Sequence, residues 1–252
     1  MNQIIDVLRV LVLGVVLTAA SIQDIKTREV DDKIWLFSLP IGVTLTLSDI
    51  LLNFNMYIIY LTVLSIGFSS ALAFAIYYFG LFGGADAKAL MCISVISPYP
   101  PSVLLSPFKL LNPIFPLAIF GNAVVMSIGL ITFIAVKNIA WKVKHRTSLF
   151  EGFSEPAFKK ALALLLGYKV ASTKLKDTPH VRLMEVLSKD GTRRFKFFTK
   201  VEEYDMLKPS GNISFEWVWV TPAIPLLVFF LAGFICCFLV GDLVMMTVSF
   251  FL

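Results

Sequence analysis

The sequence predicts an all-α membrane protein of six transmembrane helices, with a small α+β cytoplasmic domain inserted between helices five and six. Of the 252 residues, 58% are apolar and only 15% are charged, whereas soluble globular chains carry about 45–50% apolar and about 25% charged residues. The apolar residues also gather in six stretches, each close to the roughly 17–25 residues with which a helix crosses a bilayer. These stretches are residues 4–22, 34–52, 56–79, 89–105, 114–136 and 217–240.

The first stretch is interpreted as a permanent span rather than a secretory signal peptide. Asp6 and Arg9 leave no positively charged leading segment, and no small-residue cleavage site leads into a soluble region. The two residues are three positions apart on one helical face near the outer end of the span. A local ion pair between them is therefore expected.

The fourth stretch is interrupted by proline. Pro98, Pro100 and Pro101 fall inside it, and proline removes a helical hydrogen bond and clashes with the preceding turn. The residue before a proline also avoids the helical region. We expect this helix to bend or stop near Ser97, and whether it crosses the bilayer fully as helix stays open.

The net charge of +5 comes from the segments that flank the spans. Lysine and arginine follow the first span, begin the fourth and follow the fifth, and such residues stay in the cytoplasm under the positive-inside rule. This rule explains the basicity more simply than nucleic-acid binding does. We therefore predict a multi-pass protein of the cytoplasmic membrane, with both termini outside and with loops 23–33, 80–88 and 137–216 in the cytoplasm.

The chain divides into three segments. Residues 1–140 hold membrane helices one to five, residues 141–216 form the cytoplasmic domain, and residues 217–252 form helix six. In the domain, a short amphipathic helix is expected over residues 155–167, ended by Gly167. Strands are expected at residues 170–175, 180–187 and 193–201, with Lys189, Asp190 and Gly191 as the hairpin turn between the last two.

No metal site or cofactor is predicted. Cys92, Cys236 and Cys237 all lie inside apolar stretches and form no C-x-x-C pair, which argues against a zinc ribbon and a disulfide framework. His145 and His180 are isolated from other ligand-type residues and are interpreted as surface residues.

Ionisable groups in or beside the spans are costly and are therefore the first candidates for function. Four of them lie near predicted membrane interfaces and are interpreted as solvated charges: Asp49, Lys109, Glu216 and Asp242. With Asp6 and Arg9 explained by their ion pair, the remaining carboxylates are Asp24 and Asp86.

Each of these aspartates also has a structural interpretation. Asp24 ends the first span and could pair with Lys26 or Arg28, and Asp86 could cap the fourth helix after the break at Gly83 and Gly84. The predicted topology places both aspartates on the cytoplasmic side. Two carboxylates at one depth can share a proton, which gives one acid and one base for hydrolysis without a metal.

The segment from Gly83 to Lys88, with the motif Gly83-Gly84-Ala85-Asp86, resembles the G-x-hydrophobic-D signature of membrane aspartyl proteases. That group contains type IV prepilin peptidases, archaeal preflagellin peptidases and presenilin. The third motif position is Ala85, where glycine is common. Asp24 followed by Arg28 resembles the family's first motif, and the segment with Pro222 and Pro225 resembles its C-terminal proline segment.

The resemblance implies that Asp24 and Asp86 are the catalytic pair. It also implies that the substrates are preflagellins and related type IV pilin-like precursors, cut between a short basic leader and the following apolar helix. The tetracysteine domain of the longer, methylating bacterial enzymes has no counterpart here, so the resemblance implies proteolysis only.

Two other functions stay open at this point. A proton-coupled transporter or channel could place Asp24 and Asp86 in a cavity, although no matching pair of broken helices is visible in two halves of the chain. A non-catalytic assembly factor could use the basic domain to hold a partner or anionic lipid.

Overall fold

The computed structural model describes residues 3–80, 82–106, 108, 110–175, 181–188, 192–197, 215–222 and 225–251. Within these residues the helices are α1 (Gln3–Thr27), α2 (Lys33–Leu52), α3 (Met56–Tyr78), α4 (Gly84–Ile96), α5 (Phe115–His145), α6 (Ala157–Leu166), α7 (Leu226–Leu239) and α8 (Leu243–Phe251). The strands are β1 (Tyr168–Ala171), β2 (Val181–Leu183), β3 (Glu185–Leu187), β4 (Arg193–Phe195) and β5 (Trp217–Pro222).

The chain forms two compact units. The first comprises Met1–Ser127 and Pro225–Leu252, and the second comprises Ile128–Ile224. In the first unit, α4 lies at the centre, because it contacts α1, α2, α3 and α7. Its side chains at Ala89, Leu90 and Ile93 are almost fully buried in the core. The other helices of this unit therefore pack around this short helix.

Four helices are long and apolar enough to cross a membrane, namely α1, α2, α3 and α5. The pair α7 and α8 passes the same test as one span, although a bend of 60° separates the two helices. In the described residues this gives four spans, or five with the bent pair. The chain is thus a mostly helical, multi-pass membrane protein with a small strand-containing unit, and the count of six spans stays a prediction.

The fourth apolar stretch does not form a helix long enough to be counted as a membrane span. The helix α4 has 13 residues and ends at Ile96, which gives it a length of about 20 Å against the roughly 30 Å of a bilayer core. An irregular segment follows, and Pro98 and Pro101 lie in it. The expected stop near Ser97 is confirmed, since Ser97 is the residue that caps the helix.

The last apolar stretch differs from the expectation at its start. Residues Trp217–Pro222 form the strand β5 rather than the beginning of a helix. The strand pairs on both sides, antiparallel to β1 and to β2. Alternating aromatic and β-branched residues favour such a buried strand, and Val218, Trp219 and Val220 are almost fully buried. Helical structure resumes only at Leu226.

The second unit contains the predicted helix and strands with shifted bounds. The amphipathic helix is confirmed as α6, which ends at Leu166 directly before Gly167. A Cβ atom on Gly167 would lie 2.6 Å from the carbonyl oxygen of Val220, so only glycine permits this close approach to β5. The first strand runs from Tyr168 to Ala171 and is followed by a 3₁₀ turn.

The predicted hairpin is present as the antiparallel pair of β3 and β4. Its proposed turn residues, Lys189, Asp190 and Gly191, lie outside the described residues. The same holds for His180 and for residues 198–201 at the end of the third expected strand.

Candidate active site

A buried ionic network occupies the part of the first unit near the start of α1. Arg9 lies 3.6 Å from Asp6 and 3.1 Å from Asp49, and all three side chains are fully buried. Tyr99 donates its hydroxyl to Asp49, and the Arg9 guanidinium lies 4.6 Å from the centre of the Tyr99 ring. The expected pair of Asp6 and Arg9 is confirmed, but the prediction of a solvated Asp49 is wrong.

The other three presumed interface charges have different outcomes. Asp242 is also buried, so its prediction as a solvated charge is wrong; its carboxylate accepts hydrogen bonds from the backbone of Val244 and Met245 and so caps α8. Glu216 is exposed, as expected. Lys109 lies outside the described residues.

Asp24 lies in the last turn of α1, at the other end of that helix from the network. It is almost buried, with 9% of the residue exposed. The Arg28 guanidinium lies 3.8 Å from its carboxylate, which confirms one of the two expected partners. Arg28 has a φ of 59° and ends the helix in a left-handed conformation, as is common at helix C-termini.

The loop after Asp24 is held by its own hydrogen bonds. The Gln23 side chain accepts a hydrogen bond from the backbone of Asp31, and the Thr27 hydroxyl donates to the carbonyl oxygen of Gln23 or of Glu29. Ser21, one turn before Asp24, donates to the carbonyl oxygen of Leu227 in α7. These contacts fix the end of α1 that carries Asp24, and no sequence motif marked them.

Asp86 lies in the first turn of α4. The chain does open before it, since α3 ends at Tyr78 and α4 begins at Gly84. The helix cap itself is Gly83 and Asp86 is the third helical residue, so the structural interpretation of Asp86 is wrong in its position, although its carboxylate does accept a hydrogen bond at the start of the helix. Its carboxylate accepts a hydrogen bond of 2.9 Å from the Gly83 backbone, which is one half of a capping box.

The surroundings of Asp86 are apolar. It lines a small cavity in the first unit together with Ala73, Ile76, Phe82, Ala87, Leu90, Phe120 and Phe230. Burial raises the pKa of Asp86 to about 6, against the lowering effect of the Gly83 hydrogen bond, and the charge of Asp24 raises it further. Because α1 contacts α4, the fold brings the two aspartates into electrostatic range of each other.

The remaining motif residues lie in several different elements of the fold. Lys88 forms an ion pair of 2.6 Å with Asp32 at the start of α2, and Ala85 packs against the core. Pro222 ends β5 opposite Val181, and Pro225 caps α7.

The cysteines and His145 hold structural positions. All three cysteines are free thiols, and among the described residues no group of three His, Cys, Asp or Glu side chains is placed to hold a metal. His145 stacks on Trp141 and lies against Trp217, with ring centres 4.7 and 4.6 Å away. His145 is half-buried, and these ring contacts are with tryptophans rather than with metal-ligand side chains.

Two parts of the chain match known protein families. Residues 11–137 match the type IV leader peptidase family, and residues 159–243 match the C-terminal region called archaeal peptidase A24 C-terminus type II. The chain belongs to the type IV leader peptidase family. The first match includes both Asp24 and Asp86.

Curated relatives agree with this membership. The peptidase is 30% identical to the preflagellin peptidase of Methanococcus voltae over 236 residues, which cover 90% of this chain and 92% of the relative. It is 26% identical to the preflagellin peptidases of Methanococcus maripaludis and Methanocaldococcus jannaschii, over 91% and 90% of this chain and 93% and 91% of the relatives. The chain is thus a membrane protease, and the transporter and assembly-factor alternatives are set aside.

Proposed function

We propose that this peptidase hydrolyses preflagellin or related type IV pilin-like precursors at the cytoplasmic face of the membrane, with Asp24 and Asp86 as its acid-base pair. The observation that supports this most directly is the position of Asp86 in an apolar cavity, where burial raises its pKa to about 6 and the charge of Asp24 raises it further. The relatives named preflagellin peptidase supply the substrate class.

In the proposed mechanism, the two carboxyls share one proton. Asp86 has a raised pKa of about 6 and lies in an apolar pocket, so it holds the proton more readily than an ordinary aspartate does. Asp24 has the Arg28 guanidinium beside it, which favours a negative charge on Asp24. Asp24 therefore acts first as the base and Asp86 as the acid.

The reaction then runs through one water molecule. Asp24 takes a proton from the water as its oxygen attacks the scissile carbonyl, and Asp86 gives its proton to the carbonyl oxygen. Collapse of the tetrahedral intermediate breaks the C–N bond, and the leaving amine takes the proton that Asp24 received. Asp86 takes a proton back from a hydroxyl of the intermediate as the new carboxyl group forms. Each carboxyl thus serves in both steps of one acid-base cycle.

Replacement of each aspartate by asparagine tests the pair. Asp24→Asn and Asp86→Asn should each lower kcat by about 100-fold or more, because general acid-base catalysis contributes at least that factor. Purified protein in lipid vesicles and a precursor peptide with its native leader give the rate. Glu29→Gln is the matched control, since Glu29 is an exposed carboxylate in the loop that follows Asp24.

Activity above about a tenth of the wild-type rate in either asparagine variant would contradict the pair. A variant that no longer folds is recognised by its circular dichroism and thermal unfolding. For that case Asp86→Glu provides a second test, because it keeps the carboxyl and should retain more activity than Asp86→Asn.

The proposed orientation also fixes where the substrate is cut. We expect termini outside and six crossings, so that Asp24 and Asp86 lie at the cytoplasmic edge. The apolar helix of the precursor stays in the bilayer, and its basic leader remains on the cytoplasmic side. The cut then falls after the leader and before the apolar segment, where the chain must be extended because a helix keeps its carbonyl groups occupied.

Charge in the leader is therefore expected to matter. Neutralising the lysines and arginines of the leader should slow cleavage, while the position of the cut, read by mass spectrometry, stays the same. Indifference to leader charge, or a cut deep in the apolar segment, would contradict the substrate assignment without bearing on the aspartate pair.

A further inference from the structure

The helix α6 presents an apolar face to the outside of the second unit. Ala157, Phe158, Ala161 and Leu165 are its exposed residues, and at 100° per residue they lie on one side of the helix. Phe158 is 73% exposed and Leu165 is 43% exposed. Ala163, on the opposite side, is fully buried. A surface helix in water shows the reverse pattern, with polar residues outward.

The lysines of α6 do not cover this face. Lys159 pairs with Glu155 at 2.9 Å, and the ammonium of Lys160 lies 5.8 Å from the centre of the Phe150 ring. Both lysines are partly buried and flank the inner side of the helix. The outer face therefore needs an apolar covering that the described residues of this unit do not provide.

The position of α6 against α5 indicates what that covering is. Asn138 of α5 is fully buried and donates hydrogen bonds to the carbonyl oxygens of Leu164 and Gly167, at 3.0 and 2.7 Å. These bonds hold the C-terminal end of α6 beside α5, which is one of the helices able to cross a membrane. At this level α5 still exposes Ile139 and Val143.

Aromatic and basic residues lie close to this part of α5. Trp141 and Trp217 pack edge to face at 5.3 Å, and the ammonium of Lys137 lies 3.5 Å from the centre of the Tyr168 ring. Tryptophan and tyrosine gather where a membrane protein meets the lipid headgroups. Basic residues next to a span attract anionic lipids, and the nearby exposed ones are Lys142, Lys144 and Arg146.

We propose that α6 is an interfacial helix that lies in the membrane surface where α5 leaves the bilayer. Its exposed apolar face contacts the lipid acyl chains, and Lys142 and Lys144 contact anionic headgroups. The occupant of the apolar face is thus an anionic lipid surface, because the face adjoins a lipid-exposed helix and a row of cations. Such a helix anchors the second unit by burying its apolar side about 5–10 Å into the headgroup boundary.

Spin labels on α6 test this in the full-length protein. Cys236, the native cysteine with a partly accessible side chain, is first replaced by alanine. A label at Ala161→Cys or Leu165→Cys, in vesicles of phosphatidylcholine and phosphatidylglycerol, should collide more with dissolved oxygen than with a water-soluble nickel complex. A label at Phe133→Cys, exposed on α5, is the lipid-facing reference, and free label in buffer is the aqueous reference.

The other outcomes overturn the proposal. Collisions dominated by nickel mean that α6 faces water, and protection from both reagents means that a protein surface or a second copy covers it. The anionic part has its own test: the label at residue 165 should lie deeper when phosphatidylglycerol is added to phosphatidylcholine, and Lys142→Gln with Lys144→Gln should remove that increase. An equal depth in both lipids overturns the role of the lysines. None of these measurements depends on the activity of Asp24 and Asp86.

Discussion

The two ends of α1 carry buried aspartates, each with an arginine beside it but with different further neighbours. Asp6 lies near its start and Asp24 near its end, 18 positions apart, or about 27 Å along the helix axis. Around Asp6, the Arg9 guanidinium contacts two carboxylates, and Ser102 donates both its backbone N–H and its hydroxyl to Asp6. Around Asp24, the Arg28 guanidinium lies 3.8 Å away, and a second carboxyl, Asp86, is near enough for the charge of Asp24 to raise its pKa.

The two places differ in how completely the charge of a buried carboxylate is compensated. In the network, a cation and hydroxyl donors compensate the carboxylates, which suits a permanent structural contact between α1, α2 and the segment after α4. In the candidate site, Asp86 has one backbone donor and an apolar lining, so its pKa is raised to about 6 and it keeps its proton to a higher pH than an ordinary aspartate does. Incomplete compensation is what makes a carboxyl useful as an acid.

Removal of the cation from the network should have the largest effect on stability. Arg9→Met leaves Asp6 and Asp49 buried without their guanidinium, and breaking a buried ion pair in this way costs about 3–5 kcal/mol. Denaturant-induced unfolding in mixed micelles measures the loss. Lys26→Met, an exposed cation on the same helix, should change the free energy of unfolding by less than about 0.5 kcal/mol. Equal effects of the two variants would mean that the network is not a stabilising contact.

Substitution of the two glycines before Asp86 should affect kcat to different extents. A Cβ atom on Gly83 would lie 3.3 Å from the Asp86 carboxylate, whereas one on Gly84 would meet a Tyr77 ring carbon at an ordinary 3.6 Å. Gly83→Ala should displace the carboxylate and lower kcat by about tenfold, which corresponds to about 1.4 kcal/mol. Gly84→Ala should leave kcat within about twofold. If the two variants cleave the precursor equally fast, Gly83 does not position Asp86.

The smallest expected effect is on the pKa of Asp86. Asp24→Asn should lower this pKa from about 6, because it removes the charge of Asp24, but the pKa should stay above 3.8, because burial is the larger cause of the shift. Infrared titration of the Asp86 carboxyl band gives the value. Glu29→Gln should leave it unchanged, and an unchanged value in Asp24→Asn would show that the two carboxyls do not interact.

The same shift predicts how stability and activity depend on pH. The native state binds the Asp86 proton more tightly than the unfolded chain does, so this contribution to stability is complete below pH 3.8 and is lost as pH rises through about 6. Above that pH, kcat/KM should fall about tenfold per unit if Asp86 must be protonated. A flat kcat/KM between pH 6 and 8 would contradict the role of Asp86 as the acid.

Local sequence patterns determined much of this protein. Long apolar runs give the membrane helices α1, α2, α3 and α5, since a helix satisfies its own backbone in lipid. The prolines after Ser97 stop α4, because proline has no backbone N–H to continue the helix. Gly83 and Gly84 separate α4 from α3, because glycine lacks a Cβ atom and favours an opening of the helix. The motifs around Asp24 and Asp86 identified the family and selected both carboxylates.

Only the tertiary structure decided which charges are neutralised and where the strand β5 begins. Asp49 lies in α2 and contacts Arg9 in α1. Asp242 accepts a hydrogen bond from the first turn of α8. Neither is the solvated charge that its position near the end of a span suggested. Residues Trp217–Pro222 are as apolar as a span but have strand partners on both sides. The charge coupling between Asp24 and Asp86 likewise depends on contact between α1 and α4, because Coulomb interaction follows distance in space rather than separation along the chain.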